Sequence, residues 1–204
     1  MVTIAILDYG MGNLRSIEKG FEKVGFDARI IGNGEEIKPY DALVVPGVGA
    51  FGDAMRNLER SGSDKAILDY VASGKKVLGI CLGMQLFFEE SEEHGLRKGL
   101  GIIKGRVERL PGNVKVPHMG WNIVLIKKIC PIFHKIQSGS RFYFVHSYYC
   151  KPNDESCVIA TTPYGVEFAS AVNKENVWGV QFHPEKSSTS GLKILENFGK
   201  MVVS

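Results

Sequence analysis

The first eighty residues repeat one pattern, in which a short apolar run is followed by helical periodicity. The apolar runs are TIAIL (3–7), ALVV (42–45) and KVLGI (76–80). Apolar residues then recur at helical spacing over residues 14–24, up to Gly25, and a second helix is expected over residues 51–60. Strands rich in Val, Ile and Leu that alternate with helices predict a parallel sheet covered on both faces. Such sheets bind ligands beyond the carboxyl ends of their strands.

Short strands separated by turn residues dominate the chain after Lys104, and they predict antiparallel hairpins added to the parallel sheet. They are expected at 122–128, 141–149, 157–162, 168–172 and 177–183. A final amphipathic helix is indicated by one apolar stripe, formed by Leu192, Leu195, Phe198 and Val202. The expected fold class is α/β, a mostly parallel, doubly wound central sheet with helices on both faces and added antiparallel hairpins. No repeat or linker divides residues 1–204, which predicts a single domain.

Composition excludes several classes of protein. A net charge of +3 without a basic run does not predict nucleic-acid binding. The amino terminus has no basic leader, and no apolar stretch reaches the roughly 18 residues of a membrane-spanning helix, so we expect a cytoplasmic protein. The four cysteines form no CxxC pair and have no histidines at metal-ligand spacing, which favours free thiols over disulfides or a metal site. No metal and no other cofactor is expected.

One cysteine stands in an unusual position. The segment Gly79-Ile80-Cys81-Leu82-Gly83 is typical of a nucleophile elbow, in which a sharp strand-to-helix turn exposes one residue at the sheet edge. Flanking glycines fit such a turn because a Cβ atom would collide with nearby backbone. The N–H groups of the following helix point at the sulfur and favour the thiolate. A buried structural cysteine is the alternative, and it is our interpretation of the other three cysteines.

A thiolate nucleophile needs a base, and His183 is the best candidate of the five histidines. It ends the apolar run VWGVQF and is followed by Pro184 and Glu185. In an extended segment, residues two apart project to the same side, so Glu185 can hydrogen-bond the imidazole and orient it. Cys81, His183 and Glu185 are therefore predicted to be nucleophile, base and orienting carboxylate.

Two further segments could serve this chemistry. The PGVG turn (46–49) follows the strand expected beside the Cys81 strand, so the N–H of Val48 or Gly49 could join that of Leu82 in an oxyanion hole. An ordinary strand-to-helix turn is the alternative. The segment VPHMGWN (116–122) is either a partner-binding surface or a packed loop. His146, in the aromatic run YFVHSYY, fits a core position and a substrate wall equally well, and the remaining His94 and His134 are expected at the surface.

Six segments in order give the chain its resemblance to a known family, the class I (triad) glutamine amidotransferases. They are LDYGMGNLRS (7–16), VVPGVGAFG (44–52), GICLGMQLFF (79–88), VPHMGWN (116–122), FVHSYY (144–149) and VQFHPEKS (180–187). No functional position departs from the family pattern. DYGMGN, PHMGWN and HPEKS narrow the resemblance to glutaminase subunits that supply a separate (β/α)8-barrel cyclase. The resemblance implies hydrolysis of L-glutamine to glutamate and ammonia through a thioester on Cys81.

The resemblance also implies further roles for particular residues. Gly49, Gln85 and the backbone around Ser147 and Tyr148 would bind the α-amino and carboxylate groups of glutamine. The interface with the barrel subunit would include Asn13, Pro117, His118, Met119, Trp121, Asn122 and Lys186. The barrel would receive ammonia through an internal channel. Weak activity of the chain alone would rise when the barrel holds its nucleotide, and a flip of the PGVG peptide that completes the oxyanion hole is one cause.

Three alternatives stay open on the sequence. The first is a different triad glutaminase, of the anthranilate, GMP or pyridoxal-phosphate synthase type, which would lack PHMGWN at this place. The second is a catalytically silent regulatory subunit, against which the intact Cys81, His183 and Glu185 speak. The third is a stand-alone cysteine hydrolase or chaperone on a similar sheet, which usually lacks the HPE segment.

Overall fold

A computed structural model describes residues 2–203, with the side chain of Glu35 excepted. The strands, in chain order, are β1 (Thr3–Leu7), β2 (Asp27–Ile31), β3 (Ala42–Val45), β4 (Lys76–Ile80), β5 (Phe88–Ser91), β6 (Arg97–Lys98), β7 (Ile103–Arg109), β8 (His118–Ile126), β9 (Ser140–His146), β10 (Tyr148–Pro152), β11 (Val158–Pro163), β12 (Glu167–Lys174) and β13 (Val177–Val180). The helices are α1 (Leu14–Lys23), α2 (Phe51–Ser61), α3 (Ser63–Ala72), α4 (Leu82–Leu86) and α5 (Ser188–Val203). Short 3₁₀ turns connect several of these elements.

The central sheet has a parallel half and an antiparallel half. Its strand order is β2-β1-β3-β4-β13-β12-β11-β8-β9. The strands from β2 to β13 pair in parallel, and those from β13 to β9 pair antiparallel. A smaller sheet, in the order β10-β7-β5-β6, lies beside it. The α/β fold with added antiparallel strands, predicted from the sequence, is confirmed.

The central sheet separates two hydrophobic clusters, as the period of a strand requires. Ile4 and Ile6 of β1 contribute to one cluster, and Ala5 and Leu7 contribute to the other. The first cluster contains the apolar sides of α1 and α5, and the second contains those of α2, α3 and α4. Helices therefore cover both faces of the sheet. Within residues 2–203, no helix is both long and apolar enough to cross a membrane.

The predicted strands in the parallel half agree with the structure to the residue, at 3–7, 42–45 and 76–80. Helix α1 ends at Lys23, and Gly25 adopts a φ of +88° just after it. The sequence analysis missed α3, β2 and the strands of the smaller sheet between residues 88 and 109.

Three predicted strands after Lys104 are wrong in extent. The strand expected at 122–128 is β8, which spans His118–Ile126, so most of the segment VPHMGWN, expected as a loop, is strand. The run 141–149 is not one strand, because it breaks at Ser147 into β9 of the central sheet and β10 of the smaller sheet. Strand β13 ends at Val180, three residues before His183. Both breaks lie close to Cys81, since the Val145 carbonyl oxygen and Gln181 Nε2 are 3.9 and 3.6 Å from its sulfur.

Candidate active site

The turn that carries Cys81 is strained in the way the flanking glycines predict. Cys81 follows β4 and precedes α4, with a φ of 55° and a ψ of −109°, a conformation that side-chain-bearing residues rarely adopt. A Cβ atom at Gly83 would overlap the Val45 carbonyl oxygen, and one at Gly79 would lie 2.7 Å from the Met84 nitrogen. The turn can therefore form only with glycine at both positions, and it holds the thiol at the carboxyl end of the sheet.

The second and third members of the predicted triad are in direct contact. His183 Nδ1 lies 2.9 Å from Glu185 Oε1, and both side chains are almost completely buried. Because residues 184–186 form a 3₁₀ turn, the pair meets across this turn and not along the extended segment that we expected. Among the described residues, neither the second ring nitrogen, Nε2, nor the second carboxylate oxygen has a hydrogen-bond partner.

The pKa of His183 depends on the charge of Cys81. Burial lowers the pKa of His183, but the negative charge of a Cys81 thiolate, followed by the Glu185 contacts, raises it to about 10. A protonated His183 ring would stabilise negative charge on the attacking sulfur, and it can give up a proton to a leaving group.

Gln181 is a further neighbour of the sulfur that the sequence analysis missed. Its side chain is fully buried, and its Nε2 donates to Cys81 Sγ at 3.6 Å. Gln181 also accepts a hydrogen bond from Gln85 Nε2 at 3.1 Å. Since Gln181 stands two residues before His183, strand alternation was a signal that could have placed both side chains on the same side.

A cavity of about 380 Å³ opens beside Cys81. Most of its lining was assigned to the catalytic or substrate site from the sequence, namely Val48, Gly49, Cys81, Leu82, Gln85, Ser147 and Tyr148. Pro117 and Lys186, predicted at the partner interface, line it as well. The other lining residues are Glu93, Val145 and His146. Its volume suits a small polar metabolite.

Glu93 supplies the cavity with a carboxylate. Its Oε2 accepts a hydrogen bond from the Phe51 backbone N–H at 2.6 Å, which fixes the side chain. Glu93 was not predicted from the sequence, because it lies in the acidic run EESEEHG, which has the composition of a solvated surface loop. A fixed carboxylate at the cavity wall can bind an ammonium group of a ligand.

The predicted oxyanion donors are not both free in this conformation. The Leu82 N–H donates to the Gly47 carbonyl oxygen at 3.4 Å. Because the C=O and N–H of a trans peptide point in opposite directions, the Val48 N–H of that same peptide points away from Leu82. Rotation of the Gly47–Val48 peptide would exchange the carbonyl for the N–H. Gly49 at a φ of +105° follows this peptide.

Tyr9 holds the amino-terminal end of this turn. Its buried hydroxyl donates to the Pro46 carbonyl oxygen at 2.5 Å. Burial, followed by the charge of Cys81, raises the pKa of Tyr9, so the hydroxyl stays protonated and acts as a donor. No pattern in the sequence marks Tyr9 as part of the site.

The residues predicted to contact a partner divide into exposed and buried positions. Met119 and Trp121 on β8 are 63% and 50% exposed, and Pro117 and Lys186 are exposed as well. Asn13 and Asn122 are half-buried. His118 differs from the others, because it is only 3% exposed and cannot present its ring to a partner in this conformation.

The aromatic ring of Tyr143 lies between Lys186 and Trp121. Lys186 Nζ lies 5.9 Å from the centre of the Tyr143 ring, and the Trp121 and Tyr143 ring centres are 6.2 Å apart. Trp121, Tyr143 and Lys186 therefore form one continuous face, which reaches the cavity because Lys186 lines it.

No group of three or more His, Cys, Asp or Glu side chains within residues 2–203 is arranged to bind a metal ion. All four cysteines are buried and free.

Comparison with known proteins identifies the family of the chain. Residues 5–202 match the family "Glutamine amidotransferase class-I". The chain belongs to the class I glutamine amidotransferase family.

Within that family, the chain is similar to proteins named "Imidazole glycerol phosphate synthase subunit HisH". The protein of that name from Geobacter sulfurreducens is 51% identical over 98% of this chain and 100% of its own length. The one from Syntrophotalea carbinolica is 54% identical over 97% of this chain and 100% of its own length.

A solved structure shares the fold at much lower identity. It is that of a putative GMP synthase subunit from Thermoplasma acidophilum, with a TM-score of 0.76 and 21% identity over 100% of this chain and 94% of that one.

Proposed function

We propose that Cys81, His183 and Glu185 hydrolyse L-glutamine and that the ammonia passes to a HisF-type (β/α)8 cyclase subunit. The overall role is that of the glutaminase subunit of imidazole glycerol phosphate synthase. It is supported by relatives of that name whose sequences are 51% and 54% identical to this chain over their full length. The observation that carries the residue assignment is the cavity beside Cys81, which collects the nucleophile, the oxyanion turn and a fixed carboxylate. We propose that residues 1–204 act as a single amidotransferase domain in the cytoplasm, where thiols stay reduced.

The reaction follows from the thiolate and imidazolium. The Cys81 sulfur attacks the side-chain amide carbon of glutamine, and the carbonyl oxygen takes up the negative charge. The carbon–nitrogen bond then breaks as His183 gives its Nε2 proton to the departing nitrogen, which leaves as ammonia. The now neutral His183 deprotonates a water molecule, which attacks the thioester carbon. The carbon–sulfur bond breaks, glutamate leaves, and the sulfur remains on Cys81 as thiolate or thiol. Glu185 keeps the ring oriented and stabilises its charge in both steps.

The cavity wall supports one orientation of glutamine. Glu93 offers a carboxylate for the α-ammonium group, and the turn at Ser147 and Tyr148 offers backbone polar groups for the α-carboxylate. Gln85 acts on this wall through the backbone, since its Nε2 donates to the Tyr148 carbonyl oxygen at 2.9 Å. The side-chain amide of the substrate then extends towards Cys81.

The oxyanion turn supports activation by a partner. With the Leu82 N–H bonded to the Gly47 carbonyl, the oxyanion lacks donors until the Gly47–Val48 peptide rotates. Removal of one oxyanion donor typically costs about 10²–10³-fold in rate, so the chain alone should be a slow glutaminase. Val48 is 40% exposed, and a barrel subunit docked on the neighbouring face could shift this equilibrium.

The exposed face of β8 supports docking of the cyclase. Met119 and Trp121 are large apolar side chains beside the cavity mouth, and such residues are enriched at the centres of interfaces. Lys186 is exposed next to the triad and could pair with a carboxylate of the barrel. A sealed interface would keep ammonia from being protonated in bulk water before the cyclase uses it. The products would be imidazole glycerol phosphate and an aminoimidazole carboxamide ribotide.

The test is ammonia release from glutamine by the chain with its HisF-type subunit and the nucleotide substrate. We expect Cys81→Ala to abolish turnover and to retain barrel binding, whereas Cys130→Ala, at another buried free cysteine, keeps turnover. Turnover that survives Cys81→Ala would contradict the assignment of the nucleophile. A pull-down against anthranilate, GMP and pyridoxal-phosphate synthase subunits would expose a different triad glutaminase. Equal rates with and without the liganded barrel would contradict the coupling.

A further inference from the structure

Two histidines that the triad does not use form a buried pair behind the cavity. His118 on β8 and His146 on β9 face each other in the register of the two strands. His118 Nδ1 lies 2.9 Å from His146 Nε2, and the two residues are 3% and 6% exposed. Burial of two adjacent imidazole rings costs folding free energy unless each ring nitrogen has a hydrogen-bond partner of the opposite kind, donor to acceptor.

The surrounding acceptors and donors fix the proton on each ring. His146 Nδ1 lies 2.8 Å from the Tyr148 carbonyl oxygen, which can only accept, so Nδ1 carries the proton. His146 Nε2 must then accept from the Nδ1–H of His118. His118 Nε2 in turn accepts from the side-chain amide of Asn122 at 3.2 Å. The pattern requires two neutral rings, and burial lowers the pKa of His118 to about 4 and that of His146 to about 3.

His118 is held in place by aromatic neighbours. Its ring stacks on Tyr164 with centres 3.9 Å apart and on Phe144 with centres 4.9 Å apart. The Tyr164 hydroxyl donates to the Lys115 carbonyl oxygen at 2.7 Å, which fixes the outer ring of the stack. His118 therefore offers its Nδ1–H in one direction only, towards His146.

The chain of hydrogen bonds ends on the substrate wall. The Tyr148 carbonyl oxygen accepts from His146 on one side and from Gln85 Nε2 on the other, at 2.8 and 2.9 Å. Tyr148, Ser147 and His146 itself line the cavity beside Cys81. The two donors fix the orientation of the peptide that follows Tyr148, at the start of β10 and directly after the break at Ser147.

We propose that His118 and His146 are positioning residues for glutamine, a neutral dyad that holds the Ser147–Tyr148 turn in the geometry that binds the substrate α-carboxylate. This inference rests on the proposed glutaminase function and adds to it. The dyad takes no part in proton transfer to Cys81, and its effect is on glutamine binding. His118 acts only through His146.

Asparagine and glutamine distinguish the two ring nitrogens. The amide of asparagine occupies about the position of Nδ1, and the amide of glutamine reaches about the position of Nε2. His146→Asn therefore keeps a donor for the Tyr148 carbonyl, whereas His146→Gln loses it. His118→Asn keeps a donor for His146, whereas His118→Gln loses it.

The experiment measures KM for glutamine and kcat for ammonia release, with each variant bound to its cyclase subunit and nucleotide. His146→Gln leaves the Tyr148 carbonyl oxygen with only the Gln85 donor. Because one buried hydrogen bond contributes up to about tenfold to binding, we expect this variant to raise KM by up to about tenfold. His146→Asn and His118→Asn should stay within about threefold of wild type, and kcat should change little in all of them. His118→Gln should raise KM, but it should add nothing in a His146→Gln background.

A purely structural dyad would give a different result. Equal damage by the Asn and Gln variants, unchanged KM in His146→Gln, or additive effects in the double variant would overturn the proposal. ¹⁵N NMR of the ring nitrogens gives a second readout, since we expect both histidines to be neutral with the proton on Nδ1 at pH 7. A charged ring or the opposite tautomer would also overturn it. A wild-type complex that does not hydrolyse glutamine would instead contradict the proposed function, and the NMR result would still decide the state of the dyad.

Discussion

Removal of the Tyr9 hydroxyl tests how the oxyanion turn is held. Tyr9→Phe deletes the donor to the Pro46 carbonyl oxygen, a 2.5 Å hydrogen bond, and keeps the buried ring. Pro46 lies one peptide before the Gly47–Val48 peptide that must rotate to present the Val48 N–H. The substitution therefore loosens the anchor of the turn without touching the triad.

Two magnitudes follow from this geometry. A buried carbonyl left without its donor costs about 1–3 kcal/mol of unfolding free energy, and 2 kcal/mol lowers Tm by roughly 4–8 °C in a chain of this size. Complete loss of an oxyanion donor costs about 10²–10³-fold in rate, and a donor that is displaced but still present should cost less, about tenfold in kcat. KM should change little, because the ground-state carbonyl does not depend on this turn.

Tyr70→Phe is the matched control. The Tyr70 hydroxyl donates to the Tyr40 carbonyl oxygen at 2.8 Å, an oxygen that also accepts from Lys75 Nζ at 2.9 Å. The Tyr70 ring is buried and lies on α3, away from the cavity. The assay compares thermal unfolding and steady-state glutaminase kinetics of both variants in complex with the cyclase. We expect both to lose stability and only Tyr9→Phe to lose kcat.

The reasoning would be refuted by a Tyr9→Phe enzyme with wild-type kcat and a lowered Tm. In that case the Pro46 hydrogen bond stabilises the fold and has no part in positioning the Val48 N–H. An equal fall of kcat in Tyr70→Phe would show that general destabilisation explains the loss.

Three further predictions concern the orienting carboxylate, the docking face and the pH dependence of stability. Glu185→Gln removes the charge beside the triad imidazole and should lower kcat for ammonia release by at least about tenfold; a wild-type kcat would contradict its role. Trp121→Ala should weaken binding of the cyclase subunit by about 10–100-fold in calorimetry, whereas Ile129→Ala, at an exposed apolar residue outside this face, should not. Because burial lowers the folded-state pKa values of His118 and His146 to about 4 and 3, the unfolded chain takes up protons first. The stability that these neutral rings contribute should be complete above pH 6.5 and fall on acidification towards pH 4, by up to about 1.4 kcal/mol per pH unit for each ring, and denaturant unfolding of the double Asn variant should lack this slope.

Strands β1, β3 and β4 of the parallel half and the nucleophile turn could be predicted from local sequence. Apolar runs of Val, Ile and Leu mark the buried strands, and glycines flank Cys81 where a Cβ would overlap the backbone. The contact of His183 with Glu185 depends on only three consecutive residues. These features are local, and local sequence patterns report them.

The rest depends on register and on partners distant in sequence. The run RFYFVHSYY is apolar and aromatic throughout, so nothing in it marks the break at Ser147 between two sheets. The contact between His118 and His146 needs the register of β8 and β9, which no short pattern supplies. Strand alternation along PHMGWN was a usable signal, because it puts His118 on the opposite face from Met119 and Trp121.

The central claim is that Cys81 forms a glutamyl thioester, and hydroxylamine trapping tests it most directly. Hydroxylamine is added to the complex while it hydrolyses glutamine. It competes with water for the thioester and releases γ-glutamyl hydroxamate. We expect wild type to form hydroxamate at the expense of glutamate and Cys81→Ala to form neither. Glutamate release at an undiminished rate without hydroxamate, or release that survives Cys81→Ala, would contradict the account.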